Sequence, residues 1–277
     1  MTGKLIKHDL KACASAVGSI YLAAGIAVIA LLITAFLKTG MIIKFLLSLA
    51  LIVIAAVCLV VTFVQVIFGA NRSLFRREGY LTQTLPVRTS SIIFSKWLTS
   101  SFWLFLSYGL IVVSVIGVYF YWAVESEEGA QMYEMIYGFA QTMGLGAEVV
   151  YQKYLAAQAF VSFFNMIIFV MFVLFAITIA NIRPFNKLGG FGIIVYLAIT
   201  LGLVQAAAWG LSQICDITLL ISAEGAVSMA VDPDVIQECQ WAGGQAIGFT
   251  GVYFKALVTV FIYILTVQLN DTKINLK

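Results

Sequence analysis

The chain has 277 residues, 62% of them hydrophobic and only 10% charged, and 16 basic against 13 acidic residues leave a net charge of +3. With a mean hydropathy of +1.02, it is too apolar for an ordinary water-soluble domain, which is about 45–50% apolar and about 25% charged. Uncharged apolar runs recur from end to end, so residues 1–277 read as one transmembrane domain with no separate aqueous domain.

Ahead of the first apolar run, Ile6, Leu10, Cys13 and Val17 recur at helical spacing, while Lys4, Lys7 and Lys11 fall on another face. This predicts an amphipathic helix over 1–16 lying in the membrane interface. The lysines also resemble the start of a signal peptide. The run after them is longer than the roughly 7–15 residues of such a segment, however, and no small-residue cleavage site follows. A spanning helix needs about 20 apolar residues. Six segments qualify: Val17–Leu37, Phe45–Ala70, Trp97–Trp122, Tyr154–Ile182, Leu188–Cys215 and Phe249–Leu269. Lys255 interrupts the last, and its stem can snorkel to the nearer interface.

Between spans two and three, residues 71–96 carry Arg72, Arg76, Arg77, Glu78, Arg88 and Lys96 beside apolar Leu74, Phe75, Tyr80 and Leu81. Ser73 can cap a short helix that Gly79 ends, and Pro86 marks a turn. Such a mixed surface suits a protein partner, with contact to anionic lipid as the alternative. The loop from Ala123 to Lys153 is acidic. Within 216–248, Ile217 to Val231 is apolar apart from Glu224 but too short to cross the bilayer. Asp232 and Pro233 supply a helix N-cap and first position, and Gly243 with Gly244 stops that helix. Two short helices joined at Asp232 would make a re-entrant hairpin, an outer gate with Glu224 partly desolvated. Cys215 and Cys239 bracket it, as a disulfide or as two free thiols.

With the N-terminus in the cytoplasm, every basic residue falls inside except Lys38, Lys44, Lys153 and Lys255. This positive-inside bias predicts an even number of spans, both termini cytoplasmic and a location in the cell membrane. The cations lie close to span ends, so they read as contacts with lipid headgroups and not with nucleic acid. No phosphate-loop motif, no G-x-S-x-G and no H-E-x-x-H occurs, and His8 is the single histidine. No catalytic residue and no metal site is therefore expected, and any transport must draw energy from another polypeptide. Gln65, Asn165 and Gln205 are polar groups within spans, either lining a pathway or hydrogen-bonding between helices.

The segment Arg76-Arg77-Glu78-Gly79-Tyr80-Leu81, then Leu85-Pro86-Val87, Ser91 and Ser95-Lys96-Trp97, resembles the membrane subunits of type-two ATP-binding-cassette exporters. The resemblance is specific at only about twenty-five positions, with Ser95 where that family often has glycine. It implies an all-α integral membrane protein with six transmembrane helices, an N-terminal interfacial helix, a cytoplasmic coupling helix and the outer hairpin between spans five and six. By similarity Arg76, Arg77, Glu78, Gly79 and Tyr80 would contact a cytoplasmic ATPase subunit, and Lys96 would anchor span three. ATP and Mg would sit on that partner and no cofactor on this chain. A second copy, or a homologous permease, would complete the pathway. The expected cargo is amphipathic or hydrophobic, such as a membrane-active peptide. A lipid, drug or polysaccharide exporter of the same architecture, and a non-transporting immunity or sensor module, are the alternatives. Half of a secondary transporter would show inverted repeats, and the two halves show no self-similarity.

Overall fold

A computed structural model of the chain describes residues 2–36, 41–75, 88–125, 138, 148–182, 185, 190–222 and 224–273. The proposed coupling residues Arg76, Arg77, Glu78, Gly79 and Tyr80, Pro86 and most of the acidic loop lie outside them. The helices are α1 (Thr2–Phe36), α2 (Met41–Phe75), α3 (Thr89–Glu125), α4 (Glu148–Asn181), α5 (Phe191–Ser212), α6 (Pro233–Trp241) and α7 (Thr250–Lys273). Three strands, β1 (Thr218–Ile221), β2 (Val227–Ala230) and β3 (Gln245–Gly248), lie between α5 and α7. Among the described residues, five helices have the length and apolarity to cross a membrane, and six do if the bent α1 counts as one span. The chain divides into two compact units, Met1–Met132 with Asn275–Lys277, and Tyr133–Ile274.

In the first unit α1, α2 and α3 pack pairwise. The packed stripe of α2 is Leu51, Ala55, Cys58, Thr62, Val66 and Ala70, the three- and four-residue spacing of a single helix face. Small residues on that stripe let backbones approach, which is how membrane helices gain packing without a hydrophobic drive between them. The opposite face exposes Leu49, Val53, Val57, Val60, Val64 and Phe68, a surface suited to lipid. Within α1, Leu5–Ala14 and Val17–Leu31 are bent by 56° relative to each other. The amphipathic N-terminal segment is thus continuous with the apolar helix but set at an angle to it.

The second unit is built around α4, which packs against both α5 and α7. Val170 to Leu174 and Ala176 to Thr178 are all buried, as expected for a helix that is apolar all round and enclosed by neighbours. The strands form one antiparallel sheet in the order β2-β1-β3. Its central strand packs Ile221, with Ile247 of β3, against Val161 of α4, and Tyr154, Ala157 and Val252 border that core.

This sheet corrects the expectation of two short helices over 216–248. The stretch Ile217 to Val231 forms a β-hairpin, in which Gly225 N donates to Ser222 O (2.8 Å) and Ser222 N to Ala226 O (2.9 Å). Gly225 takes the left-handed conformation (φ 80°) that a G1-bulge turn requires. The ladder satisfies backbone groups that a short isolated helix would leave open at its ends. Lys153 Nζ donates to Gly225 O at 2.5 Å, tying the turn to α4. The second half of the segment forms as its punctuation predicts. Asp232 Oδ1 accepts from Asp234 N at 3.1 Å with Pro233 next in line, and Gly243 ends the helix at φ 82°. At Gly244 a Cβ would lie 2.6 Å from Ile221 O, so only glycine permits this approach of the chain to β1.

Candidate functional site

Three polar residues of the second unit converge on one cavity. Near the sheet its helices close on one another through apolar and small groups. Val161 of α4 and Val252 of α7 border the sheet core, and a Cβ placed at Gly251 of α7 would touch Ala208 Cβ of α5 at 4.0 Å. One turn further from the sheet, Asn165, Gln205 and Lys255 follow at four, three and three residues from Val161, Ala208 and Val252. At about 1.5 Å rise per residue they sit about 4.5–6 Å beyond that closure, at a similar depth. There they line a half-open groove of about 480 Å³ with Phe169, Phe172 and Gly202 among its walls, and Gln205 and Gly202 are exposed at its rim.

This volume lies within the roughly 300–1,000 Å³ of small-molecule sites, which combine apolar walls with a few polar groups. Asn165 Nδ2 donates to Val161 O at 3.0 Å, which fixes the amide and leaves its carbonyl oxygen available. Lys255 is half-buried, and its Nζ meets no carboxylate or carbonyl among the described residues. An ammonium at such depth is costly, and membrane proteins place one where it faces a partner or a polar cavity. Two of the three proposed pathway residues thus come together. Gln65, half-buried on α2 of the first unit, is not among the lining residues. Lys255 was legible only as an interruption of span six, and its convergence with Asn165 and Gln205 depends on helix rotation that spacing along the chain does not reveal.

The first unit holds its polar groups differently. Lys96 Nζ of α3 donates to Asp9 Oδ1 of α1 at 2.6 Å, with both side chains largely buried. Ser95 Oγ lies 3.4 Å from Asp9 Oδ2 and 2.9 Å from Ile92 O. Lys96, expected as an interfacial anchor, therefore clamps the N-terminal segment to the start of α3. Further along, Ser107 Oγ of α3 lies 2.7 Å from both Tyr21 Oη of α1 and Thr62 Oγ1 of α2. One hydroxyl thus joins all three helices.

Of the two residues expected at the outer gate, Asp232 takes its expected N-cap place, whereas Glu224 does not take the desolvated one. Glu224 is exposed in the β1–β2 turn and is not desolvated. Asp232 is exposed and serves as the N-cap of α6. Cys215 and Cys239 are both free thiols, and Cys239 Sγ lies 3.8 Å from Ile221 O. Among the described residues no group of three His, Cys, Asp or Glu side chains is placed to hold a metal. No protein-family model, no curated protein and no solved structure matches the chain.

Proposed function

We propose that this chain is the permease subunit of an ATP-driven exporter in the cell membrane, with both termini in the cytoplasm. In this reading two copies, or one copy and a homologous permease, enclose a shared pathway. Separate cytoplasmic ATPase subunits that bind ATP and Mg supply the energy. The observation that carries the reading is a cavity among candidate spans, lined by Asn165, Gln205 and Lys255, in a chain that has no phosphate loop of its own. Closure of the ATPases would act on residues 76–80 and shift the spans between two discrete packings. Apolar walls with few polar groups suit an amphipathic or hydrophobic cargo, such as a membrane-active peptide.

The experiment is reconstitution of the complex in liposomes, comparing stimulation of ATP hydrolysis by amphipathic peptides, hydrophobic drugs and polyprenyl-linked sugars. The peptides should stimulate most, and stimulation by the sugars alone would overturn the cargo assignment. Charge reversal by Glu78→Lys should weaken assembly or uncouple hydrolysis with normal expression. A variant that assembles and transports as wild type would remove residues 76–80 from the coupling contact.

A further inference from the structure

We propose that the cavity between α4, α5 and α7 binds an amphiphile with a single anionic head, its carboxylate or phosphate paired with Lys255 and its apolar chain lying along the aromatic wall. The inference rests on reading Asn165 and Gln205 as pathway residues and names the class of ligand they take. It does not depend on the source of energy. Neutral amides alone would favour a neutral cargo, and Lys255 changes that expectation.

Three observations carry it. Lys255 lines the cavity, and no carboxylate or other acceptor meets its Nζ among the described residues. A half-buried ammonium is only partly solvated and gains from a paired charge with supporting hydrogen bonds, so the charge is matched when an anion enters. Asn165 and Gln205 stand at a similar depth, as set out above, and bring amide N–H groups that can add to the ammonium. Asn165 keeps one N–H beyond the bond it gives to Val161 O. Finally, the polar groups lie at the sheet end of the groove, while Phe169 and the edge of the otherwise buried Phe172 continue along α4 away from the sheet. Charge at one end and aromatic surface running from it match a molecule with an anionic head and an apolar tail better than a fully apolar or a cationic one, which narrows the amphipathic or hydrophobic cargo of the exporter reading.

The test uses the purified full-length chain in a neutral detergent, without any ATPase, and a fluorescent C18 fatty acid as probe. Its methyl ester and an alkyltrimethylammonium of equal length serve as controls. The acid should bind about tenfold more tightly than the ester, the scale of one charge-assisted contact, and the cation should bind least. In Lys255→Gln the acid and ester should fall within about twofold of each other, and Lys255→Arg should keep most of the preference. Displacement of the acid by phosphatidylglycerol but not phosphatidylcholine would assign the anion to resident phospholipid. No displacement by either would assign it to a free amphiphile. Equal binding of acid and ester by the wild-type chain, or an undiminished preference in a monodisperse Lys255→Gln protein, would overturn the proposal. The wild-type comparison needs no variant, and a negative result would leave the exporter reading to the ATPase experiments.

Discussion

The two compact units hold two sets of polar side chains differently, although the second unit also has a partnered pair in Asn270 Nδ2 and Thr178 Oγ1 at 3.3 Å. In the first, Asp9 meets Lys96 with Ser95 beside it, and Tyr21, Thr62 and Ser107 satisfy one another across three helices. In the second, Lys255 and Gln205 face a cavity without side-chain partners among the described residues. A polar group in an apolar surround is costly unless paired. A partnered set therefore holds helices together, whereas a set left open in a cavity is available to a ligand. Among the described residues, the buried polar atoms without partners in the first unit, Ser101 Oγ and Trp103 Nε1, are single neutral groups on α3 and not a charge.

The contrast can be broken most sharply at Asp9. Asp9→Ala leaves Lys96 buried and uncompensated, and should cost about 3–5 kcal/mol, read as a large fall in melting temperature of the purified chain. The exchange Asp9→Lys with Lys96→Asp should recover part of it. A melting temperature unchanged in Asp9→Ala would mean that the pair does not hold α1 to α3. Ser107→Ala should cost less, about 0.6–1.7 kcal/mol, the range of hydrogen bonds between membrane helices. A double-mutant cycle with Thr62→Val should show coupling between the two positions. The smallest effect on stability belongs to the second unit. Lys255→Met should leave the stability within about 0.5 kcal/mol of wild type or raise it, with little change in melting temperature, because no protein partner is lost. A drop as large as that of Asp9→Ala would reveal a structural partner for Lys255 and erase the contrast.

The sequence carries the helices more clearly than the contacts between them. Runs of about 20 apolar residues set the long helices, and Asp232, Pro233 and Gly243 mark both ends of α6 through capping chemistry that is local to the chain. The sheet was illegible for a physical reason. Its strands have four residues each, and β1 is buried at Thr218, Leu220 and Ile221, so two successive side chains are packed away and no apolar-polar alternation develops. The turn signal was present, with Ser222 and Gly225 inside an otherwise apolar run. The Asp9–Lys96 pair joins residues 87 apart, and its one local trace was an acid among the basic residues of the N-terminal segment. Asn165 and Gln205 were visible as polar groups in spans, but that they share a wall with Lys255 follows from tertiary packing alone.

The central claim is that this chain moves a substrate with energy released on another polypeptide. Its most direct test is affinity purification of the chain in mild detergent, with ATP hydrolysis measured before and after the chain is stripped of everything bound to it. A phosphate-loop ATPase should accompany the chain, hydrolysis should vanish with its removal, and adding it back should restore the activity. Hydrolysis that persists in the rigorously isolated chain would contradict the account.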